Sequence, residues 1–330
     1  MSNKQQLAAV GLDIGGTKIA AGVVLWPTGE ILHRTVIPTK PTRGGDAVLK
    51  DTLGLARQLN DWAQEQGIQV AGIGAGVAEL VDCDGNVTSS CTIHWRGLAV
   101  QDRLSEIAPA QVESDVRAAA LAEAIFGMGR RSRLFVYVTV GTGISSCLMQ
   151  NGYPFKGAKG NAITLASSPL STVCTHCGVK LHPVLEEFAS GPAIAKRFAA
   201  AKKVENNAEA AAAEQVFQAA SKGDNVAAEI LTTAGEALGV SAAFLVNVLD
   251  PEMLVVGGGL GLAGGLYWDA FQQSCREHIF ANNSRELPIV RAKMGIDAGL
   301  VGAAAGVFIQ QNTNKENHIH GKDRKHTGTD

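Results

Sequence analysis

The stretch at residues 10–20 constrains this chain most: Val10, Gly11 and Leu12 lead to Asp13, then Gly15, Gly16, Thr17 and Lys18 lead into a second apolar run. Apolar, turn, apolar over this length reads as a strand, a tight turn and a returning strand. Adjacent glycines let backbone N–H groups approach a ligand closely, because no Cβ intervenes. Such turns form anion-binding concavities, to which Thr17 adds a hydroxyl and Lys18 a positive charge. Asp13 stands where a carboxylate could hold a metal ion through water. The same residues also suit an ordinary Gly-Gly hairpin. The segment lacks the GxxxxGK[ST] loop, and no helix follows at once as a dinucleotide fingerprint requires, so the rest of the chain has to decide.

The following segments build an α/β chain. Strands are expected at 7–14, 18–26 and 30–37, a helix over 45–66 and a buried strand at 70–77. A loop and short helix follow Trp95, then a strand at 111–113 that ends at Ser114 and Asp115, and an alanine-rich helix over 116–127. A second unit opens at Leu134: a strand at 135–140, the turn Gly141, Thr142 and Gly143, and a strand at 144–149. Helices are expected at 184–201, 207–221, 223–249 and 265–282, with a strand at 253–256. The two openings, strand–glycine turn–strand, suggest an internally duplicated architecture.

At 330 residues with 46% apolar content, the chain can bury two cores. A net charge of −2 offers no electrostatic footprint for nucleic acid or an anionic membrane surface. Residues 1–6 are polar, without the core of a signal peptide. No apolar run is expected to reach transmembrane length, because Asp250, Pro251 and Glu252 interrupt the longest. The six cysteines have no framework spacing, which fits a reducing cytoplasm. From 312 onward the polar composition reads as a flexible tail.

Three glycine features each follow an apolar strand: Gly15 and Gly16, Gly141 to Gly143, and Gly257, Gly258 and Gly259. Together they would enclose the phosphates and adenosine of a nucleotide. Asp115, at a strand end before a helix, is either a cap or a general base that takes a proton from a substrate hydroxyl.

With these residues in place, the chain resembles the ROK-family sugar kinases of the actin-like ATPase superfamily. The resemblance runs from about Gly11 to Phe308. It is carried by residues 13–18, Gly72 to Gly74 with Val81 and Asp82, Ser114 and Asp115 before the alanine helix, 141–143, Asn151 and Gly152, 186–191, Asp250 and Pro251 with 255–259, and 297–304. It implies two actin-like (ribonuclease H-like) domains flanking a nucleotide and sugar cleft: residues 1–117 plus about 298–311, and residues 118–297. It implies ATP and Mg²⁺ at Asp13, Gly15, Gly16, Thr17, Lys18, Gly141, Thr142 and Gly143, adenosine at 257–259, and Asp115 as the base that activates a sugar hydroxyl, usually the 6-hydroxyl. Homodimers are common in such a family.

The departures from the family pattern cluster around the acceptor. Ser114 replaces the usual Asn before the catalytic Asp, and Ala78 and Glu79 replace Pro-Gly. Thr164 and Ser167 fall where the family has a sugar-binding Glu and a zinc-ligating His. Glu186 matches the downstream sugar-binding Glu. The family's zinc motif is altered: Cys174, Cys177 and His182, with His176 nearby, supply N and S donors for Zn²⁺, without an evident fourth ligand. Glu79 facing a cleft would pair with a substrate amine, which favours an amino sugar or cyclitol over glucose. The reading is an ATP-dependent kinase of a hexose, amino sugar or cyclitol. The alternative is a catalytically inactive, ROK-type sugar-binding regulator; a DNA-binding domain is not expected, because the phosphate loop begins within the first dozen residues.

Overall fold

The computed structural model describes residues 6–173, 177–202 and 212–323. The chain divides into two compact units. One comprises the chain up to Phe126, Lys156–Ala162 and the chain from Asp297 onward; the other comprises Gly127–Phe155 and Ile163–Ile296.

In the first unit β1 (Leu7–Ile14), β2 (Lys18–Trp26) and β3 (Ile31–Pro38) form a meander, followed by α1 (Gly45–Glu65), β4 (Gln69–Val77), α2 (Val100–Ser105), β5 (Ala110–Ser114) and α3 (Asp115–Ile125). The sheet order is β3-β2-β1-β4-β5. β1 pairs antiparallel with β2 (Asp13 opposite Ala20) and parallel with β4 (Asp13 opposite Gly76). As a central strand covered on both faces, β1 is a continuous apolar run rather than an alternating one. Val10, Leu12 and Ile14 join Val48, Ala56 and Leu59 of α1 in one buried cluster. α1 is amphipathic, so it lays its apolar stripe on that sheet.

The second unit repeats the plan. β6 (Leu134–Val140), β7 (Ile144–Gln150) and β8 (Tyr153–Pro154) form its meander, and a small ribbon, β9 (Thr172–Val173) with β10 (Lys180–Leu181), follows. Then come α4 (Leu185–Ala189), α5 (Gly191–Ala201), α6 (Ala213–Ser221), α7 (Asn225–Leu249), β11 (Met253–Gly257), α8 (Gly258–Ala263), α9 (Gly265–His278) and β12 (Ile289–Arg291). The sheet order is β12-β11-β6-β7-β8. Its core joins Val136 and Val138 to Leu231, Leu238 and Phe271. The last helix, α10 (Ala298–Asp323), follows β12 in the chain but packs with β1, β4 and α3 of the first unit.

Several sequence expectations change here. The helix expected over 184–201 is two helices. Ser190 is extended between them, and its hydroxyl accepts from Ala193 N–H at 3.4 Å as the N-cap of α5. α10 runs to Asp323, past the point where a polar tail is expected. The expected boundary at 117 falls inside α3, all of which stays in the first unit. α7 is, by length and composition, apolar enough to cross a bilayer, contrary to the expectation that no segment is. Most of that stretch is buried, which is the pattern of a core helix. Asp224 starts α7 by accepting from Val226 and Ala227 N–H, and Asp250 ends it in the left-handed region at φ 45°.

Candidate functional site

In the first unit the β1–β2 turn is closed by Gly15 N–H donating to Lys18 O at 3.0 Å. Thr39, fully buried just beyond β3, pins it from behind. Its hydroxyl donates to Gly15 O at 2.6 Å and its N–H to Thr17 O at 3.0 Å. Thr17 and Lys18 are left exposed.

Asp13 is half-buried at the end of β1. A Cβ added to Gly299 would lie 2.6 Å from its Cγ and 2.8 Å from each carboxylate oxygen, so this carboxylate rests on the first turn of α10. A helix N-terminus favours an anion there. Nonetheless the Asp13 pKa is pushed up to about 7: burial is the main cause, Asp115 and Asp297 add to it, and Lys18 opposes it. Asp297 is itself paired with Arg34 at 2.9 Å.

Asp115 is the first residue of α3. Its Oδ1 accepts from Val116 N–H at 2.7 Å. Burial pushes its pKa up to about 6, against the Val116 N–H and Arg117; the charge of Glu79 raises it further. Ser114 is buried at the end of β5, paired with Val77.

Behind Asp115 lies an ion network. Arg117 reaches Glu113 Oε1 with Nε and Nη2, each at 2.5 Å, and donates to Val81 O and Gly160 O, both at 2.6 Å. Lys156 meets Glu113 Oε2 at 2.9 Å. Arg117 and Glu113 are both buried. The network ties the segment Lys156–Ala162 to the β5–α3 corner. The sequence assigns Arg117, Lys156, Thr39 and Asp297 no role; Glu113 lies near the end of β5 and Arg117 in the first turn of α3, so no helical spacing marks the pair.

Glu79 is not free to meet an amine. It is buried, and its carboxylate accepts from the Ser89 hydroxyl, from Cys91 N–H at 2.8 Å, from Thr92 N–H at 2.7 Å and from Ile93 N–H at 2.6 Å. The amino-sugar expectation built on it loses its support.

In the second unit the β6–β7 turn is closed by Gly141 N–H to Gly143 O at 2.9 Å, and Gly191 N–H donates to Gly141 O at 2.9 Å. Glu186 of α4 accepts from Ile144 N–H at 2.7 Å, and a Cβ on Gly143 would lie 2.8 Å from the same carboxylate oxygen. The carboxylate thus lies on the glycine turn. Thr142 is exposed. A Cβ on Gly141 would lie 3.8 Å from Gly259 N, so the turn at 141–143 and the glycines at 257–259 are neighbours. A Cβ on Gly259 meets nothing within 4 Å. Thr164 and Ser167 are exposed on a short turn that packs against α4, and Ser167 Oγ donates to Thr164 O at 3.0 Å.

The donor sets bear on the implied groups. Mg²⁺ takes oxygen ligands, commonly one or two carboxylates plus substrate phosphates, rather than a closed protein cage. Asp13 beside an exposed glycine turn fits that. For Zn²⁺, Cys177 and His182 are exposed, and Cys174 and His176 lie outside the described residues. Among the described residues no three His, Cys, Asp or Glu groups converge on a metal position.

Known proteins share this layout. The glucokinase of Streptomyces coelicolor is 30% identical over 314 residues, spanning 89% of this chain and 96% of that protein. The crystal structure of a ROK hexokinase from Thermus thermophilus matches with a TM-score of 0.76 at 30% identity, covering 93% of this chain and 99% of that one. The crystal structure of a ROK family glucokinase from Streptomyces griseus in complex with glucose and AMPPNP matches with a TM-score of 0.76 at 28% identity, covering 90% and 98%. The ROK family model matches residues 9–309. Two α/β units of actin-like plan and a match over nearly the whole chain place this protein in the ROK family.

Proposed function

We propose that this protein transfers the γ-phosphoryl group of ATP to a hydroxyl of a hexose, the 6-hydroxyl or its equivalent, with Asp115 as general base. The observation that carries the reading is Asp115 itself: a half-buried carboxylate at the start of α3 whose pKa is pushed up to about 6, and whose charge acts on the Asp13 that precedes the glycine turn. A base works best when its pKa lies near the operating pH. Phosphoryl transfer asks the protein mainly to position groups and neutralise charge.

In this reading the backbone N–H groups at Gly15 and Gly16, with Thr17 and Lys18, hold phosphate oxygens. Asp13 holds Mg²⁺, which supplies charge neutralisation on the phosphates. Gly141, Thr142 and Gly143 take phosphate oxygens of the nucleotide, and 257–259 take the adenosine. The open space at Gly259 supports this, since the protein's own packing does not demand a glycine there. Ser114, Thr164, Ser167 and Glu186 are assigned to acceptor recognition, and Asp115 takes the hydroxyl proton.

The glucokinases and the hexokinase among its relatives favour a neutral hexose, and the occupied carboxylate of Glu79 removes the case for an amine. The test is a panel of hexoses, amino sugars and cyclitols with ATP, reading ADP release. A neutral hexose is expected to lead. Asp115→Ala is expected to lower kcat on the best acceptor by about 10²- to 10⁴-fold while nucleotide binding persists. A variant that turns over at near the wild-type rate removes the mechanism.

A further inference from the structure

Glu79 follows β4 at the end of the strand that pairs with both β1 and β5. Its carboxylate is wrapped by four donors, all from the loop at 89–93. Burial works against its charge, but these bonds outweigh burial and hold its pKa below the usual carboxylate range. The loop is therefore folded around a fixed anion, with successive backbone N–H groups turned inward.

The loop is held at two further points. On one side a Cβ added to Gly16 would lie 2.6 Å from the Thr92 methyl, so the loop abuts the turn at 15–17 directly. On the other, Ile93 and Trp95 are fully buried, and Trp95 Nε1 donates to Gly45 O at 2.9 Å. Between them His94 is exposed in the left-handed region at φ 62°. A non-glycine residue holds that conformation at a cost, and only where its surroundings over-determine it. The charge of Glu79 also acts on Asp115. One buried carboxylate thus anchors the loop that lies against the glycine turn and sits within the field of the base.

We propose that Glu79 is a positioning residue for phosphoryl transfer: by clamping the loop at 89–95 against the turn at 15–17, it aligns the acceptor with the transferring phosphate. This rests on the kinase reading above. An aligning group shows in kcat, and the affinity for ATP is left nearly alone.

Three variants test it on the full chain, with the best acceptor from the panel and the wild type as control. Glu79→Gln puts an amide N–H₂ among backbone donors and removes the anion. It is expected to lower kcat by about ten- to hundredfold, with KM for ATP within about twofold. Glu79→Asp keeps the charge on a shorter stem and is expected to recover part of the loss. Ser89→Ala removes one donor of four and is expected to cost a few-fold in kcat. If Glu79→Gln does not fold, the other two still decide. The inference is overturned if kcat stays within about twofold in every folded variant, or if the losses fall only on KM for ATP. A wild type that phosphorylates nothing overturns the kinase reading and this inference with it; an active wild type with indifferent variants overturns the inference alone.

Discussion

The sheets β3-β2-β1-β4-β5 and β8-β7-β6-β11-β12 have the same order and the same strand senses: two antiparallel pairings, then two parallel ones. Each opens with a glycine turn between its first two strands. What differs is the chemistry at the strand ends. In the first unit Asp13 is the next-to-last residue of β1 and β5 runs into Asp115, with Glu79 after β4 and Asp297 before α10. In the second, the matching strands end at Val140, at 257–259 and at Arg291. The acid of that unit nearest its turn is Glu186, supplied by a helix instead of a strand. A repeated backbone plan offers the same exposed turns twice. The side chains then differ: one copy carries carboxylates at its strand ends, which the proposed function assigns to the metal and the hydroxyl proton, and the other carries the glycines at 257–259, which it assigns to the adenosine.

The largest expected effect breaks the comparison at its ion pairs. Arg117 and Glu113 are buried, whereas Lys202–Asp224 of the second unit is partly exposed. Arg117→Met leaves Glu113 with Lys156 as its cation and the Ser114 N–H as its other donor, and is expected to cost about 3–5 kcal/mol. Lys202→Met is expected to leave the stability nearly unchanged. Denaturant unfolding followed by tryptophan fluorescence separates them, because Trp26, Trp62 and Trp95 report the first unit and Trp268 the second. Equal costs would show that the network at the base is not special.

Next come two glycines. Gly299→Ala drives a methyl into the Asp13 carboxylate, so kcat is expected to fall about ten- to hundredfold. Gly259→Ala adds a methyl to open space. The melting temperature is expected to stay put, while KM for ATP rises roughly several-fold, as loss of uniform binding requires. If both variants change the same kinetic constant, the division of labour between the units is wrong.

The sequence carries the strands and the turns because their signals are local: apolar runs of strand length and adjacent glycines. Asp13 and Asp115 are legible for the same reason, each standing at the end of such a run. The role of Glu79 was not, since nothing local says that four donors from residues 89–93 close on it. From the sequence Arg117 could meet phosphate or cap outward; its inward role is not legible because its carbonyl partners at Val81 and Gly160 are 36 and 43 residues away. The break at Ser190 and the short β12 were missed because three-residue strands and single extended residues barely disturb an apolar pattern.

The smallest expected effect is a pH dependence carried by two groups of the first unit. Asp13 and Asp115 have native pKa values of about 7 and about 6, against an ordinary 3.8. Between about 4 and 7 the native state therefore holds more protons than the unfolded chain, and linkage makes these two groups lower the stability as pH rises through that window. Below it both states are protonated and above it both are ionised, so their contribution is flat. In the second unit Cys275 and Tyr267 are pushed far up, to about 12 and beyond, and do not titrate there. The carboxylates held low by hydrogen bonds, Glu79, Asp82, Asp224 and Glu252, add slopes of the opposite sign, so the clean measurement is a difference. Asp115→Asn removes one titrating group and one of the charges that raise Asp13. The melting temperature of the metal-free and nucleotide-free protein, wild type minus Asp115→Asn, is expected to fall by on the order of a few degrees between pH 4 and 7 and then level off. A difference with no slope would mean that Asp115 is solvated like a surface carboxylate, and one that rises with pH would mean that its charged form is stabilised in the native state; either result removes the case for a poised base.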